Sequence, residues 1–201
     1  MFYRPESPPP SLPHNPFKAI VSPRPIGWIS TLSADGIANL APYSFFNAIA
    51  DTPPMVMFSS AGAKPGQAGN KDSLANIRET GEFVVNIVSL ALKDAMNATS
   101  APFSAATDEF AHAGVQKAPC RIVAPPRVAR SPAALECKLF RILDLPGKQN
   151  TMVIGQVVGI HLDDAMLVNG IFDVTRYKPL ARMGYRDYAA INQVFPLSRP
   201  E

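Results

Sequence analysis

Two groups of residues carry atoms suited to a polar ligand. Ser59 and Ser60 close an apolar run, Lys64 lies in the glycine-rich residues 61–70, and Lys71, Asp72 and Ser73 stand where a helix should begin. Hydroxyls, a cation and a helix N-terminus together hold a phosphate, because the first helical turn offers free N–H groups and partial positive charge. The same residues equally suit an ordinary solvated loop. The second group is Asn39-Leu-Ala-Pro-Tyr-Ser-Phe-Phe-Asn47, a mixture of small residues, hydroxyls, amides and aromatic rings. It matches a planar heteroaromatic ring with polar edges. A packed aromatic turn explains it as well.

Other chemistries find little support. Neither G-x-G-x-x-G nor G-x-x-x-x-G-K occurs, which argues against dinucleotide-binding folds and kinases. His14, His112 and His161 sit in no serine or cysteine nucleophile motif, so no catalytic residue is assigned. His14 falls in an N-terminal arm, His112 reads as a solvated helix residue, and His161 at a strand end could approach a ligand but reads rather as a structural or surface histidine. No His/Cys/Asp/Glu cluster has metal-ligand spacing, and no metal is expected. Cys120 and Cys137 read as free, buried or idle thiols.

The positioning elements are mostly strands. Residues 26–32 and 37–40 flank Ala34-Asp35-Gly36, the clearest hairpin in the chain. Residues 55–60 are a short apolar run and predict a buried strand. Residues 74–80 predict a helix capped by Asp72 or Ser73 and stopped at Gly81, with Leu74 and Ile77 facing the core. Residues 82–88 predict a strand, 89–98 a helix capped by Ser89, and 108–113 a short helix closed by Gly114. Residues 135–139 alternate as a half-exposed strand with Glu136 and Lys138 outward, and 151–161 form an almost continuous strand after a turn at Pro146-Gly147-Lys148. Many strands with only short helices imply a closed or nearly closed antiparallel barrel.

Twenty-one prolines in 201 residues are about twice the usual share, and Pro8, Pro9, Pro10, Pro13 and Pro16 make residues 1–16 an extended arm ahead of one domain over 17–201. No apolar stretch is long enough for a signal-peptide core or a bilayer span, so a cytoplasmic protein without a membrane partner is expected. The net charge of +3 comes from scattered rather than clustered Lys and Arg, which disfavours nucleic acid.

Five segments, taken in order, resemble the flavin reductase-like family: Ser22-Pro-Arg-Pro-Ile-Gly-Trp-Ile-Ser-Thr31, Gly36-Ile-Ala-Asn-Leu-Ala-Pro-Tyr-Ser-Phe45, Pro53-Pro54, Lys71-Asp-Ser-Leu-Ala-Asn-Ile77 and Thr80-Gly-Glu-Phe-Val-Val-Asn86. Residues 151–161 and 179–188 are similar to the family's closing segments. The chain departs at Met183-Gly184-Tyr185-Arg186, where paired glycines are expected and where the added bulk would face the flavin.

The resemblance implies a mainly β, FMN-binding split β-barrel of Greek-key type with a few short peripheral helices. It implies FMN as cofactor, NADH or NADPH as electron donor, and a homodimer. It also implies a flavin-dependent monooxygenase as the partner that takes reduced flavin. Carried over by position, Ser30, Thr31, Ala41, Pro42, Tyr43, Ser44 and Asn47 would meet the isoalloxazine and ribityl chain. Ser59, Ser60, Lys71, Asp72 and Ser73 would hold the phosphate. Arg182, Tyr185 and Tyr188 would complete the site from a second chain. A flavoredoxin-like electron carrier, or a split barrel for a non-flavin ligand, are the alternatives.

Overall fold

The computed structural model describes residues 1–62 and 71–200. Seven strands form one sheet: β1 Gly27–Leu32, β2 Ala38–Tyr43, β3 Phe46–Asp51, β4 Pro54–Ser60, β5 Glu82–Ile87, β6 Ala133–Leu145 and β7 Asn150–Leu162. Their order is β2-β1-β5-β6-β7-β4-β3 and every pairing is antiparallel. The edge strands β2 and β3 are consecutive in the chain, joined by Ser44 and Phe45. No ladder links them. The sheet curls until Tyr43 packs on Phe58 with ring centroids 4.7 Å apart, and Ser59 N–H donates to Phe45 O. This curled sheet with one unladdered seam is a split barrel.

The β1–β2 hairpin turns at Gly36, whose φ of +81° is a left-handed conformation that suits glycine. Inside the barrel, Ile29, Phe58, Phe83, Val85, Cys137 and Val153 form the main core with Leu74 and Ile77 of helix α1 (Asp72–Thr80). Trp28 points to the opposite face and buries with Leu40, Met96 and Phe110 under helices α2 (Lys93–Ala98) and α3 (Glu109–His112). Its indole N–H donates to Thr99 Oγ1 at 2.8 Å. A small sheet of Arg24–Pro25, Leu180–Arg182 and Tyr188–Ala190 stands beside the barrel. Residues 1–16 carry no helix or strand.

Several local expectations need correction. The N-cap of α1 is Lys71, without a side-chain bond, so neither Asp72 nor Ser73 caps it. The predicted 89–98 helix splits into a 3-10 turn, Leu90–Leu92, and α2, and Ser89 makes no side-chain cap bond. Strand β4 alternates between buried and half-exposed positions instead of burying both faces. Glu136 was expected to face solvent but is 1% exposed, because residues 120–124 cross over it. Asp108, by contrast, caps α3 through Phe110 and Ala111 N–H, and Gly114 follows with φ +63°.

Candidate functional site

A cleft of about 280 Å³ opens where β2 meets α1, the loop 99–102 and α3. Ala41, Pro42, Tyr43, Lys71, Asp72 and Ser73 all line it, so the two segments singled out in the sequence do meet in space. Asn39, Glu109 and Thr99 through Pro102 complete its wall. Sequence reading missed Glu109 and residues 99–102, which belong to no motif. Pro102 carries no signal of its own in the sequence; its position after α2 brings it here.

The floor is a buried polar chain. Asn39 Nδ2 donates to Glu109 Oε1 at 2.8 Å and Leu40 N–H donates to Oε2 at 3.1 Å. Ser73 Oγ donates to Asn39 Oδ1 at 2.7 Å, and Asn76 Nδ2 donates to Thr31 Oγ1 at 3.0 Å. Burial raises the Glu109 carboxyl above the usual range despite these donors.

Tyr43 carries the most telling atom. Its hydroxyl is buried and completes no hydrogen bond among the described residues. Burial pushes its pKa up to about 12, against the pull of the Ser73 and Ser60 hydroxyls, which approach without bonding geometry. A buried unpaired hydroxyl costs about 1–3 kcal/mol, and a ligand that bonds it recovers that cost. Lys71 Nζ lies over the Tyr43 ring, 5.6 Å from its centroid. Burial lowers the Lys71 pKa, and Lys18 lowers it further by repulsion. Lys18 and Arg24 lie over Phe45 at 5.9 and 5.8 Å. An anion between these cations would relieve the repulsion.

The remaining candidates lie elsewhere. Ser30 is fully buried, donating to Pro126 O at 2.6 Å and accepting from Asn86, and Thr31 is buried beneath the cleft floor. Neither lines the cleft. Ser44 is half-buried at the seam, Asn47 is exposed on β3 and bonds its neighbour Ala48 N–H, and Ser59 and Ser60 end β4. Arg182 pairs opposite Arg24, stacks 4.4 Å from the Tyr188 ring centroid and donates to Tyr185 O. Tyr185 is exposed, with φ +52°. Lys64 lies outside the described residues.

One cluster was invisible in the sequence. Cys120, Glu136 and His161 come together with ligand atoms within 4.8 Å of one another. Their separations of 16 and 25 residues match no metal motif, so spacing along the chain could not point to this meeting. His161 Nε2 bonds Glu136 Oε1 at 2.6 Å, while His112 is exposed as expected. Both cysteines are free.

A split barrel with a polar-floored cleft at its seam defines a class that comparison with known proteins makes specific. Residues 21–181 match the flavin reductase like domain, and the chain belongs to that family of flavin-related oxidoreductases. A protein of Aquifex aeolicus (strain VF5) is 35% identical over 170 residues, 84% of this chain and 85% of its own. The structure of 2-nitrobenzoate 2-nitroreductase from Pseudomonas fluorescens superposes with a TM-score of 0.81 at 30% identity, covering 92% of this chain and 88% of that one. Nitrilotriacetate monooxygenase component B from Bacillus cereus gives 0.88 at 26% identity, covering 98% of both. No helix among the described residues is long and apolar enough to cross a membrane.

Proposed function

We propose that the cleft binds FMN and that the protein is an NAD(P)H-dependent flavin reductase supplying reduced flavin to a monooxygenase partner. The observation that carries the reading is the unpartnered Tyr43 hydroxyl beneath the mutually repelling Lys71 and Lys18, a set that fits a ligand with both a polar planar ring and an anionic group. The similarity to a monooxygenase component B supports the partner.

When bound, the flavin supplies the redox chemistry, accepting the electrons of NADH or NADPH. The chain's own residues bind and orient. Lys71 and Ser73 hold the phosphate end, with Lys18 adding charge from outside. Ala41 and Pro42 give the ring a flat apolar wall, and Tyr43 donates its hydroxyl to a polar ring edge. Pro102 and Ala101 close the opposite side and exclude water. No side chain has to take a proton from the donor.

The proposal includes a homodimer in the cytoplasm, in which Arg182, Tyr185 and Tyr188 of one copy face the cleft of the other. All three lie outside their own cleft, and Tyr185 and Tyr188 are exposed. The test is the absorbance spectrum of the purified protein with FMN, then with anaerobic NADH or NADPH. Bands that shift on binding and bleach with nicotinamide are expected. Bands that persist would favour a flavoredoxin-like carrier, and failure to bind FMN would overturn the reading. Sedimentation velocity checks the dimer.

A further inference from the structure

We propose that Cys120, Glu136 and His161 form a site for one divalent cation of the zinc type, separate from the flavin cleft. The two regions share no lining residue.

Geometry carries the proposal. Glu136 on β6 pairs opposite Gly159 on β7, and His161 lies two residues further along the same face, a diagonal neighbour within side-chain reach. A β-bulge between Val157 and Gly159 turns this end of β7, and the loop after residue 118 brings Cys120 over both. Zinc bonds of about 2.0–2.3 Å at a tetrahedral angle place ligand atoms about 3.2–3.7 Å apart. The His161–Glu136 contact of 2.6 Å has to open by about 0.6 Å or slightly more, and Sγ has to close in from within 4.8 Å.

The carboxylate is already oriented as a ligand. Arg121 N–H donates to Oε1 at 2.9 Å, and Ile122 and Val123 N–H donate to Oε2 at 2.7 and 2.9 Å. These three bonds survive metal binding, since the cation takes only the place now held by the His161 bond on Oε1. They then hold the carboxylate oxygens in the orientation that the cation needs. Burial alone would raise the Glu136 carboxyl, but these N–H donors and His161 outweigh it and hold it down at about 2. Burial and the Glu136 charge push the Cys120 thiol up to about 11. A bare thiolate is therefore disfavoured there. A divalent cation changes the balance: it displaces the thiol proton to solvent, and thiolate plus carboxylate cancel its two charges with His161 neutral.

Space for a fourth ligand exists. A cleft of about 300 Å³ opens on the cluster, bordered by Ile122, Gly159 and Leu162. A Cβ at Gly159 would lie 3.3 Å from Glu136 Cδ, so glycine leaves room beside the buried carboxylate. Three protein ligands with one open position is the arrangement of a reactive rather than a sealed zinc site.

The test is titration of chelator-treated, full-length protein with Co²⁺ under a non-thiol reductant. The expected result is one equivalent bound, with a thiolate-to-cobalt charge-transfer band in the near ultraviolet that Zn²⁺ abolishes. Cys120→Ser should remove the band and His161→Ala should weaken binding by roughly tenfold or more. Glu136→Gln is unsuitable as the sole variant because Glu136 also anchors the loop, so His14→Ala and His112→Ala serve as controls and should leave the titration unchanged. Absence of a band, its persistence in Cys120→Ser, or its loss in either histidine control would overturn the proposal.

Discussion

Asn39 and Glu109, 70 residues apart in the chain, join at 2.8 Å in the floor of the cleft, with Ser73 bonded to the other end of the same amide. One residue thus ties β2 to α1 and α3. Replacing Glu109 with Ala leaves the Leu40 N–H and the Asn39 amide short of acceptors in a buried place. We expect a loss of about 1–3 kcal/mol in urea unfolding. Glu109→Gln keeps one acceptor and should lose less.

Tyr43→Phe separates ligand binding from stability. The hydroxyl has no completed bond to lose and its unpaired burial costs about 1–3 kcal/mol, so the flavin-free variant should be no less stable than wild type and should gain up to about that amount. FMN affinity, read by quenching of flavin fluorescence, should fall by roughly tenfold, the equivalent of one hydrogen bond. Unchanged affinity would remove Tyr43 from the site.

Lys71→Met tests the phosphate end. Riboflavin, which lacks the phosphate, should bind wild type and variant alike, whereas FMN should bind the variant about ten- to a hundredfold more weakly. Relief of the Lys18 repulsion should leave the flavin-free variant no less stable.

Glu136 makes a pH prediction with a definite sign. Its folded-state pKa of about 2 lies below the ordinary 4.5, so it contributes stability above 4.5 that is lost as pH falls toward 2. Glu136→Gln removes that titration. Urea midpoints of wild type and variant should therefore differ most near neutrality and converge across this window.

Gly155→Ala should destabilise without touching either cleft. A Cβ there would meet the fully buried Phe83 ring at 2.3 Å, and such overpacking costs about 1–3 kcal/mol. Thermal unfolding checks it.

The legible parts of this molecule were those with local causes. Gly36 between two apolar stretches specifies the first hairpin, and Gly81 stops α1 at its expected place, with φ +72°. Ser59 and Ser60 were legible as a strand end but do not line the cleft. Ser30 and Thr31, placed at the ligand by position within the family resemblance, have hydroxyls bonded inside the protein, to Pro126 O and with the Asn76 amide, and motif position alone does not reveal such inward partners. Glu136 misled for the same reason: its alternation says solvent, and the loop that covers it is set by tertiary packing. The Cys120–Glu136–His161 meeting depends on register and a bulge, neither written in residue spacing.

The seam between β2 and β3 also decides how the barrel yields. Prising apart any other pair of neighbours in the sheet breaks ladder hydrogen bonds, whereas β2 and β3 share none and Tyr43, Phe46 and Phe58 pack together there in the core. Tyr43 belongs both to that boundary and to the cleft. The barrel is therefore closed at this point by the covalent link through Ser44 and Phe45 and by side-chain packing, with Tyr43 at the closure.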